Sequence, residues 1–424
     1  MSDTLSIPAE YRTLVGLLRD AVRSAPPDAE LLAAADWPAV LRQARQHGVD
    51  TYLYPWLAEH APALFSPRAD VAPDSAPAAW RTLFLAAIPR ALQRQRQLAE
   101  LLAAFGRAGI DVMPLKGAWL SETVYDDPAR RSMSDLDVLV RKRDLDACHA
   151  TLLDLGYRAA GTVVQTDYLK DRAYTHTAYP CPVEVHWDIV PFRGNTFWAV
   201  DTTALWERSV STTLLSHPVR SLNTDDQLLH LTLHILLHGF AMPLRGFLDI
   251  ALLIKCERQR TNGQAENTAT ADPQVRRCLD FVLTFVSQLF NVPLPDRLAT
   301  RVQPVDFSRL AQAFDGLAVL PSAEEHRRET MLVRLGQASP AGRVRFILSR
   351  IFLPHQLLAG DYPFARKPYG VPFAWLCRLR DLMLRYCGKI GFGLRPRARI
   401  SRSLEPERKR QSLIEWLWEN EKPG

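Results

Sequence analysis

Two aspartates that are one residue apart carry the strongest chemical signal in this chain. Asp135 and Asp137 lie in the segment DLDVLV, where polar and apolar residues alternate. A period of two residues places both carboxylates on one face of a β-strand and Leu136, Val138 and Val140 on the other face. Two carboxylates about 7 Å apart on one rigid edge suit a divalent cation. The spacing therefore predicts a metal-binding strand.

A strand, a glycine turn and a helix precede the aspartates. The short apolar segment IDVMPL is typical of a buried strand, and it leads directly into Lys116, Gly117 and the helix-like segment AWLSETVY. Glycines close many ordinary strand-to-helix turns, but a turn of this kind can also offer backbone N–H groups to a phosphate. Arg130 and Arg131 follow, shortly before Asp135. The order predicts that cations and metal-binding carboxylates converge on one site.

A third carboxylate stands on a second alternating segment, CPVEVHWDIV. There Glu184, His186 and Asp188 share one face of the predicted strand. If this strand lies beside DLDVLV, the Glu184 carboxyl group should come within about 8 Å of the aspartate carboxyls, a span that oxygen-ligated ions can bridge. A solvated strand end would also explain acidic residues here without any metal.

The surrounding elements divide the chain into three predicted regions. Residues 1–108 have apolar residues at helical spacing and form an N-terminal helical region. Residues 109–222 contain the alternating segments and form an α/β core. Residues 223–424 return to helical patterns and form a C-terminal helical region with a basic tail. The fold class expected is therefore α+β, with a sheet flanked by helices on both sides in sequence.

The ordered set of motifs resembles a known family. Lys-Gly, then Arg-x-x-x-Asp-x-Asp, then a helix that ends in Gly-Tyr, then Glu-x-His-Trp are similar to the uncharacterised nucleotidyltransferase-like proteins of the polymerase β superfamily. The resemblance spans roughly residues 37–250. It implies a nucleotidyltransferase-type mixed β-sheet, an NTP substrate, and Mg²⁺ or Mn²⁺ as the cofactor. It also implies that Asp135, Asp137 and Glu184 are the catalytic, metal-binding carboxylates.

The same resemblance implies that Lys116, Gly117 and Arg131 bind the nucleotide. The chain departs from the broader superfamily at the turn, where Lys-Gly-Ala-Trp replaces Gly-Ser. A serine hydroxyl is therefore missing from the phosphate-gripping position, and the lysine can substitute for it as a point charge.

A column of histidines follows on the helix-like segment DQLLHLTLHILLHGF. Histidines recur there every four residues and so share one helical face. Imidazoles at this spacing can ligate a transition metal, contact phosphates, or simply pack inside a helical bundle. One of them and the following LRGFLDI stretch recur in the family that the chain resembles. The secondary site candidates are His186, His234, Arg245 and Asp249.

The resemblance favours one function and leaves two alternatives open. The favoured function is Mg²⁺-dependent transfer of an NMP from an NTP to an unidentified hydroxyl or phosphate acceptor. The first alternative is a catalytically inactive nucleotide-binding or regulatory module with the same fold. The second is a metal-dependent glycosyltransferase, which also uses Asp-x-Asp but has no role for Glu184.

Composition and charge set the remaining expectations. The net charge is +6, but residues 341–410 carry 16 Lys+Arg against 4 Asp+Glu. An anionic partner, if any, is therefore expected at the C-terminal region. The six cysteines lack CxxC spacing and are expected to be reduced. The start of the chain does not resemble a signal peptide and no apolar run reaches 18 residues, so we expect a cytoplasmic protein without a transmembrane segment.

Overall fold

A computed structural model describes most of the chain. The described residues are 7–65, 76–160, 170–190, 200–259, 272–300, 307–318, 362–387 and 404–418, with scattered positions between 302 and 359. Residues 260–271 lie outside them, as do residues 388–403 of the basic stretch 341–410.

Helices make up most of the described chain. In order they are Ala9–Arg23 (α1), Ala29–Ala34 (α2), Trp37–Gln46 (α3), Asp50–His60 (α4), Ala76–Arg107 (α5), Lys116–Thr123 (α6), Leu145–Asp154 (α7), Thr202–Arg208 (α8), Thr224–Leu237 (α9), Leu244–Gln259 (α10), Pro273–Phe290 (α11), Asp296–Ala299 (α12), Phe307–Leu317 (α13), Val371–Cys387 (α14) and Glu405–Trp418 (α15). Short 3₁₀ turns lie at Pro62–Leu64, Pro128–Arg130, Lys142–Asp144, Pro363–Arg366 and Pro368–Gly370.

The strands form one mixed sheet and a separate hairpin. They are Val112–Pro114 (β1), Leu136–Val140 (β2), Arg158–Ala159 (β3), Asp171–Thr175 (β4), Val183–His186 (β5), Val210–Leu214 (β6) and His217–Ser221 (β7). The sheet has the order β1-β2-β5-β4-β3, and β6 pairs with β7 alone. The pair β2 and β5 is parallel, whereas the other pairs are antiparallel. The predicted α+β class with a mixed sheet is confirmed.

Helix ends follow the capping signals in the sequence, with one correction. Asp36 caps α3 by accepting from the Ala39 N–H at 3.0 Å, and Gly156 follows the end of α7 at φ +87°. The spacing of Thr224 and Gln227 predicts a capping box, but that prediction is wrong by one residue. Asn223 is the N-cap of α9, because its side chain accepts from the Asp226 N–H at 2.8 Å. Asparagine caps a helix at least as well as threonine.

The two faces of the sheet pack against different cores. Leu136, Val138 and Val140 point into one buried cluster together with side chains of β5, and Leu139 points into the other. This alternation leaves Asp137 on the same face as Leu139. The polar and apolar faces that the sequence predicts for β2 are therefore the ones that the structure shows.

The larger core joins all three predicted regions. Leu14 of α1, Leu139 of β2 and Phe281 of α11 belong to one continuous cluster of buried side chains. The N-terminal and C-terminal helices therefore pack together with the sheet. The division at residues 108 and 222 stays a prediction.

Helix α14 of the C-terminal region is buried on one side only. Ala374 of α14 is fully buried, whereas Phe373, Leu376, Met383 and Leu384 on the same helix are 53–70% exposed. This helix therefore leaves part of its apolar surface exposed. The anionic partner predicted for this region stays a prediction. In the described part of the chain, no helix is both long and apolar enough to cross a membrane.

Candidate active site

Two neighbouring parallel strands bring the predicted carboxylates together. In the pairing of β2 with β5, Asp137 lies directly opposite Glu184. Because the side-chain period is two on both strands, their side chains emerge on the same face. Ligand atoms of Asp137, Glu184 and His186 lie within 4.8 Å of one another. The predicted approach of the Glu184 carboxyl group to the aspartates is therefore met for Asp137.

Asp137 is a buried anion with two donors on one oxygen. Its side chain is 3% exposed, and its Oδ1 accepts from Lys116 Nζ at 2.7 Å and lies 2.8 Å from His186 Nε2. Burial raises the pKa of Asp137, but the charge of Lys116 and the hydrogen bonds from His186 and Lys116 outweigh it and hold that pKa well below its usual range. The carboxylate is therefore kept ionised by its own neighbours.

Lys116 begins the helix that follows the glycine turn. Strand β1 ends at Pro114 and α6 starts at Lys116, as the sequence predicts. Lys116 has φ +44°, in the left-handed region that few residues other than glycine adopt. Its ammonium group points at Asp137. The turn is present, but its lysine is engaged by a carboxylate of the site.

Arg131 lies beneath this turn instead of facing the carboxylates. Its Nε and Nη2 donate to Asp249 at 2.9 and 2.6 Å, and its side chain is 7% exposed. A Cβ at position 117 would clash with Nη1 of Arg131 and lie 3.0 Å from its Cζ. The placement does not support the predicted nucleotide contact, because the guanidinium group is buried in an ion pair. Position 117 must be glycine because the Arg131 side chain packs against the turn and leaves no space for a Cβ.

The secondary candidates Arg245 and Asp249 contact the segment that contains Arg131 and Ser132. Asp249 also accepts from the Tyr125 hydroxyl at 2.8 Å. Arg245 Nη1 donates to the carbonyl and hydroxyl oxygens of Ser132 at 2.8 and 3.1 Å. Helix α10 therefore holds the loop that leads into β2. Both residues act on the site through this loop.

Asp135 stands just before β2 and is partly exposed. It is not a member of the group formed by Asp137, Glu184 and His186. Burial raises the pKa of Asp135, and the charges of Asp137 and Glu184 raise it further, while Lys116 and Arg245 lower it. Asp135 is therefore close enough to Asp137 and Glu184 to interact electrostatically with both. A bound cation would favour its ionised form.

His186 lies beside Asp137, where the sequence predicts the Asp135 carboxylate. The ring is 1% exposed, and its Nδ1 lies 3.4 Å from Lys170 Nζ and 3.6 Å from Asp171 Oδ2. Lys170 also pairs with Asp171, which lies opposite His186 in the β4–β5 register. Sequence reasoning missed Lys170 and Asp171. The sequence signal that could have indicated them is their position directly before RAYTHTAY, a segment whose pattern favours a strand.

Asp188 does not join this group. Strand β5 ends at His186, and Asp188 accepts from the Thr202 hydroxyl at 2.8 Å beyond the strand end. The predicted three-residue polar face therefore holds for Glu184 and His186 alone.

Helix α9 brings part of the histidine column next to the site. Burial lowers the pKa of His230 and His234 well below its usual range, and the nearby charge of Lys116 lowers it further. His234 and His238 stack edge to face, with ring centroids 4.7 Å apart. In the part of the chain that the structure describes, these histidines form no metal-ligand group. They pack beside the site as neutral imidazoles.

The donor set fits a hard divalent cation. Mg²⁺ and Mn²⁺ prefer carboxylate oxygens, which Asp137 and Glu184 supply on one face of the sheet. The third member of the group, His186, offers nitrogen, but its Nε2 already lies within hydrogen-bond distance of Asp137. A histidine in this position orients the carboxylate, as residues around a metal site commonly do. Asp137 and Glu184 are therefore the residues that would hold a metal ion.

Comparison with known proteins identifies the family. A family model described as uncharacterised nucleotidyltransferase matches residues 33–291, more than half of the chain. The chain belongs to this nucleotidyltransferase family. No curated protein matches the chain significantly.

Two solved structures are similar to part of the chain. One is the antibiotic-resistance factor ANT(2'')-Ia, at 10% identity and a TM-score of 0.31. The other is an antigenic nucleotidyltransferase-like protein from Paracoccidioides brasiliensis, at 15% identity and a TM-score of 0.32. Each likeness covers 47% of this chain and 93% of the other chain.

Membership in the nucleotidyltransferase family bears on the functions considered from the sequence. It confirms the resemblance drawn from the ordered motifs, and it makes a transferase of nucleotidyl groups the expected class of enzyme. It gives no support to a glycosyltransferase.

Replacement of Gly117 by alanine is expected to destabilise this nucleotidyltransferase by about 1 to 3 kcal/mol, the range for overpacking a tight site. The added Cβ meets a guanidinium group that two hydrogen bonds to Asp249 hold in place. Urea unfolding of both proteins measures the difference.

Gly106→Ala is the matched control, because nothing lies within 4 Å of its Cβ position in α5. Alanine there should stabilise the protein by at most about 1 kcal/mol, because Gly106 lies in the last turn of the helix. Equal effects at both positions would contradict the proposed packing of Arg131 against Gly117.

Proposed function

We propose that the chain transfers an NMP group from an NTP to a hydroxyl or phosphate acceptor, with Mg²⁺ or Mn²⁺ as the cofactor. The observation that carries the proposal is the parallel pairing that sets Asp137 opposite Glu184 with ligand atoms of both within 4.8 Å. Family membership supports it, because the matched residues include the whole of this sheet.

Each residue of the site has a distinct proposed task. Asp137 and Glu184 hold the metal ion, which when bound neutralises charge on the triphosphate and lowers the pKa of an attacking hydroxyl. Asp135, which lies close enough for their charges to raise its pKa, is the third carboxylate of the set. His186 orients Asp137 by a hydrogen bond. Lys116 supplies positive charge for the phosphates.

A second candidate function is nucleotide binding without turnover. One observation favours it: the Asp137 side chain is 3% exposed and already paired with Lys116 and His186. A site that kept this arrangement in the presence of an NTP would bind the nucleotide but lack a metal-holding carboxylate.

Incubation of the purified protein with each α-³²P-labelled NTP, Mg²⁺ or Mn²⁺ and fractionated cell extract tests both candidates. The enzyme transfers label to an acceptor in at least one fraction and releases pyrophosphate. The binding module retains labelled NTP on a filter but transfers none of it. A mock preparation from cells that lack the protein is the control, since transfer that persists in it comes from a contaminant.

Loss of the Lys116 charge is expected to weaken NTP binding. Lys116→Met should reduce the affinity for the metal–NTP complex by about 1.5 to 3 kcal/mol, the scale of a charged hydrogen bond. Calorimetric titration measures the change. Unaltered NTP affinity would remove Lys116 from the nucleotide site.

A further inference from the structure

We infer that Lys116 is a built-in substitute for the metal ion: its ammonium group binds Oδ1 of Asp137 and leaves that oxygen when a divalent cation binds there. The inference rests on the metal role proposed above for Asp137. It assigns Lys116 two successive positions, on the carboxylate first and on the phosphates afterwards.

A metal ion would compete for an oxygen of Asp137 that already has two donors. Oδ1 of Asp137 lies 2.7 Å from Lys116 Nζ and 2.8 Å from His186 Nε2. A carboxylate oxygen has two lone pairs, so both are engaged. A cation that coordinates this oxygen must displace one of the two donors.

Mobility decides which donor leaves. His186 lies on β5, is 1% exposed, and has Lys170 and Asp171 on the other side of its ring. Lys116 reaches Asp137 through a flexible four-carbon chain and is 12% exposed. Displacement of Lys116 requires rotation of side-chain bonds only. Displacement of His186 would also separate its buried ring from Lys170 and Asp171.

The backbone around Lys116 is fixed against Asp137. The Leu115 N–H donates to the carbonyl oxygen of Asp137 at 3.0 Å, directly before the residue with φ +44°. A non-glycine residue in this region is strained, and such strain persists only where the surroundings impose it. The turn therefore holds the start of the Lys116 side chain beside Asp137 whether or not the ammonium group is bound there.

The pair also explains how a buried carboxylate is tolerated without a metal ion. A buried charge without a partner is strongly destabilising. Lys116 supplies a compact positive charge at the distance of a strong hydrogen bond. The ammonium group therefore keeps Asp137 ionised and correctly oriented until a cation replaces it.

Binding of Mn²⁺ alone, without nucleotide, tests the inference on the full chain. Lys116→Met removes the competing charge, so its affinity for Mn²⁺, measured by water-proton relaxation, should exceed that of the wild type by about tenfold or more, given Coulomb energies near a protein surface. The same substitution is expected to weaken NTP binding. Effects of opposite sign on metal and nucleotide are the signature of a residue that moves between the two.

Lys170→Met is the matched control. Lys170 is also a partly buried cation of this site, but its Nζ contacts Asp171 and lies near the far nitrogen of His186. This variant should change Mn²⁺ affinity less than about threefold, because the charge removed is not on the metal-binding oxygen. An equal gain in both variants, or no gain in Lys116→Met, would overturn the inference.

Amine labelling of the wild type keeps the test decisive if Lys116→Met does not fold. The rate at which an amine-reactive reagent modifies Lys116, read by mass spectrometry, should rise severalfold at saturating Mn²⁺. Lys255 is the internal reference, because its Nζ donates to Val22 and Ser24 in the helical region and its rate should stay constant. A constant or reduced rate at Lys116 contradicts its release from Asp137.

These measurements separate the inference from the proposed function. If Lys116→Met binds Mn²⁺ more tightly but the wild type transfers no nucleotide, the inference is supported and the proposed transferase activity is contradicted. If the wild type transfers nucleotide but Lys116→Met gains no Mn²⁺ affinity and Mn²⁺ does not speed the labelling of Lys116, the proposed activity is supported and the inference is contradicted.

Discussion

Asp137→Asn and Glu184→Gln should each reduce nucleotidyl transfer by about 10² to 10³-fold, the usual effect of removing one preorganised charge from a reacting centre. Both amides keep the shape of the side chain and remove one negative ligand from the pair that lies opposite across β2 and β5. Transfer of α-labelled NMP at saturating metal ion and NTP measures the loss.

The two variants differ in what they do to stability, and this difference makes the test specific. Asp137 is buried and paired with Lys116, so Asp137→Asn leaves a largely buried ammonium group without its counter-charge and is expected to lower the free energy of unfolding by several kcal/mol. The Glu184 side chain is 33% exposed, so Glu184→Gln should leave stability nearly unchanged. Lost activity in a fully folded Glu184→Gln is therefore the decisive result. Wild-type transfer in that variant would remove Glu184 from the site.

Asp249→Asn should lower the free energy of unfolding by about 3 to 5 kcal/mol, the cost of breaking a buried ion pair on one side. Arg131 would keep its charge in a site where the side chain is 7% exposed and would lose two charged hydrogen bonds. Tyr125 would lose its charged acceptor as well. Urea unfolding measures the change.

Two further proteins decide whether the buried charge is the cause. Replacement of both partners, in Arg131→Met with Asp249→Leu, should recover part of the stability that Asp249→Asn loses, because no unpaired charge remains. Arg96→Met breaks an exposed pair with Glu100, in which the arginine side chain is 76% exposed, and should change stability by at most about 1 kcal/mol. A loss in Asp249→Asn as small as in Arg96→Met would contradict the structural role given to the pair.

The sequence by itself determined what each strand presents. Alternation in DLDVLV and CPVEVHWDIV predicts the polar and apolar faces of β2 and β5, because the two-residue period is a property of the extended backbone and needs no partner. The Lys-Gly turn and the cap at Asp36 are likewise local signals, and both are present. The ordered motifs were sufficient to reach the nucleotidyltransferase family.

Which residues meet was decided only by the tertiary structure. The parallel register that sets Asp137 opposite Glu184 joins strands separated by a helix and two further strands. Arg131 pairs with a carboxylate 118 residues away, although its place shortly before Asp135 suggested that it binds the nucleotide. His186 contacts Asp137 because both lie inside the sheet, whereas Asp135 lies just before its strand begins. Spacing along the chain fixes the direction of a side chain, but a buried charge binds the opposite charge that the path of the chain brings to it, and that path depends on the packing of the whole core.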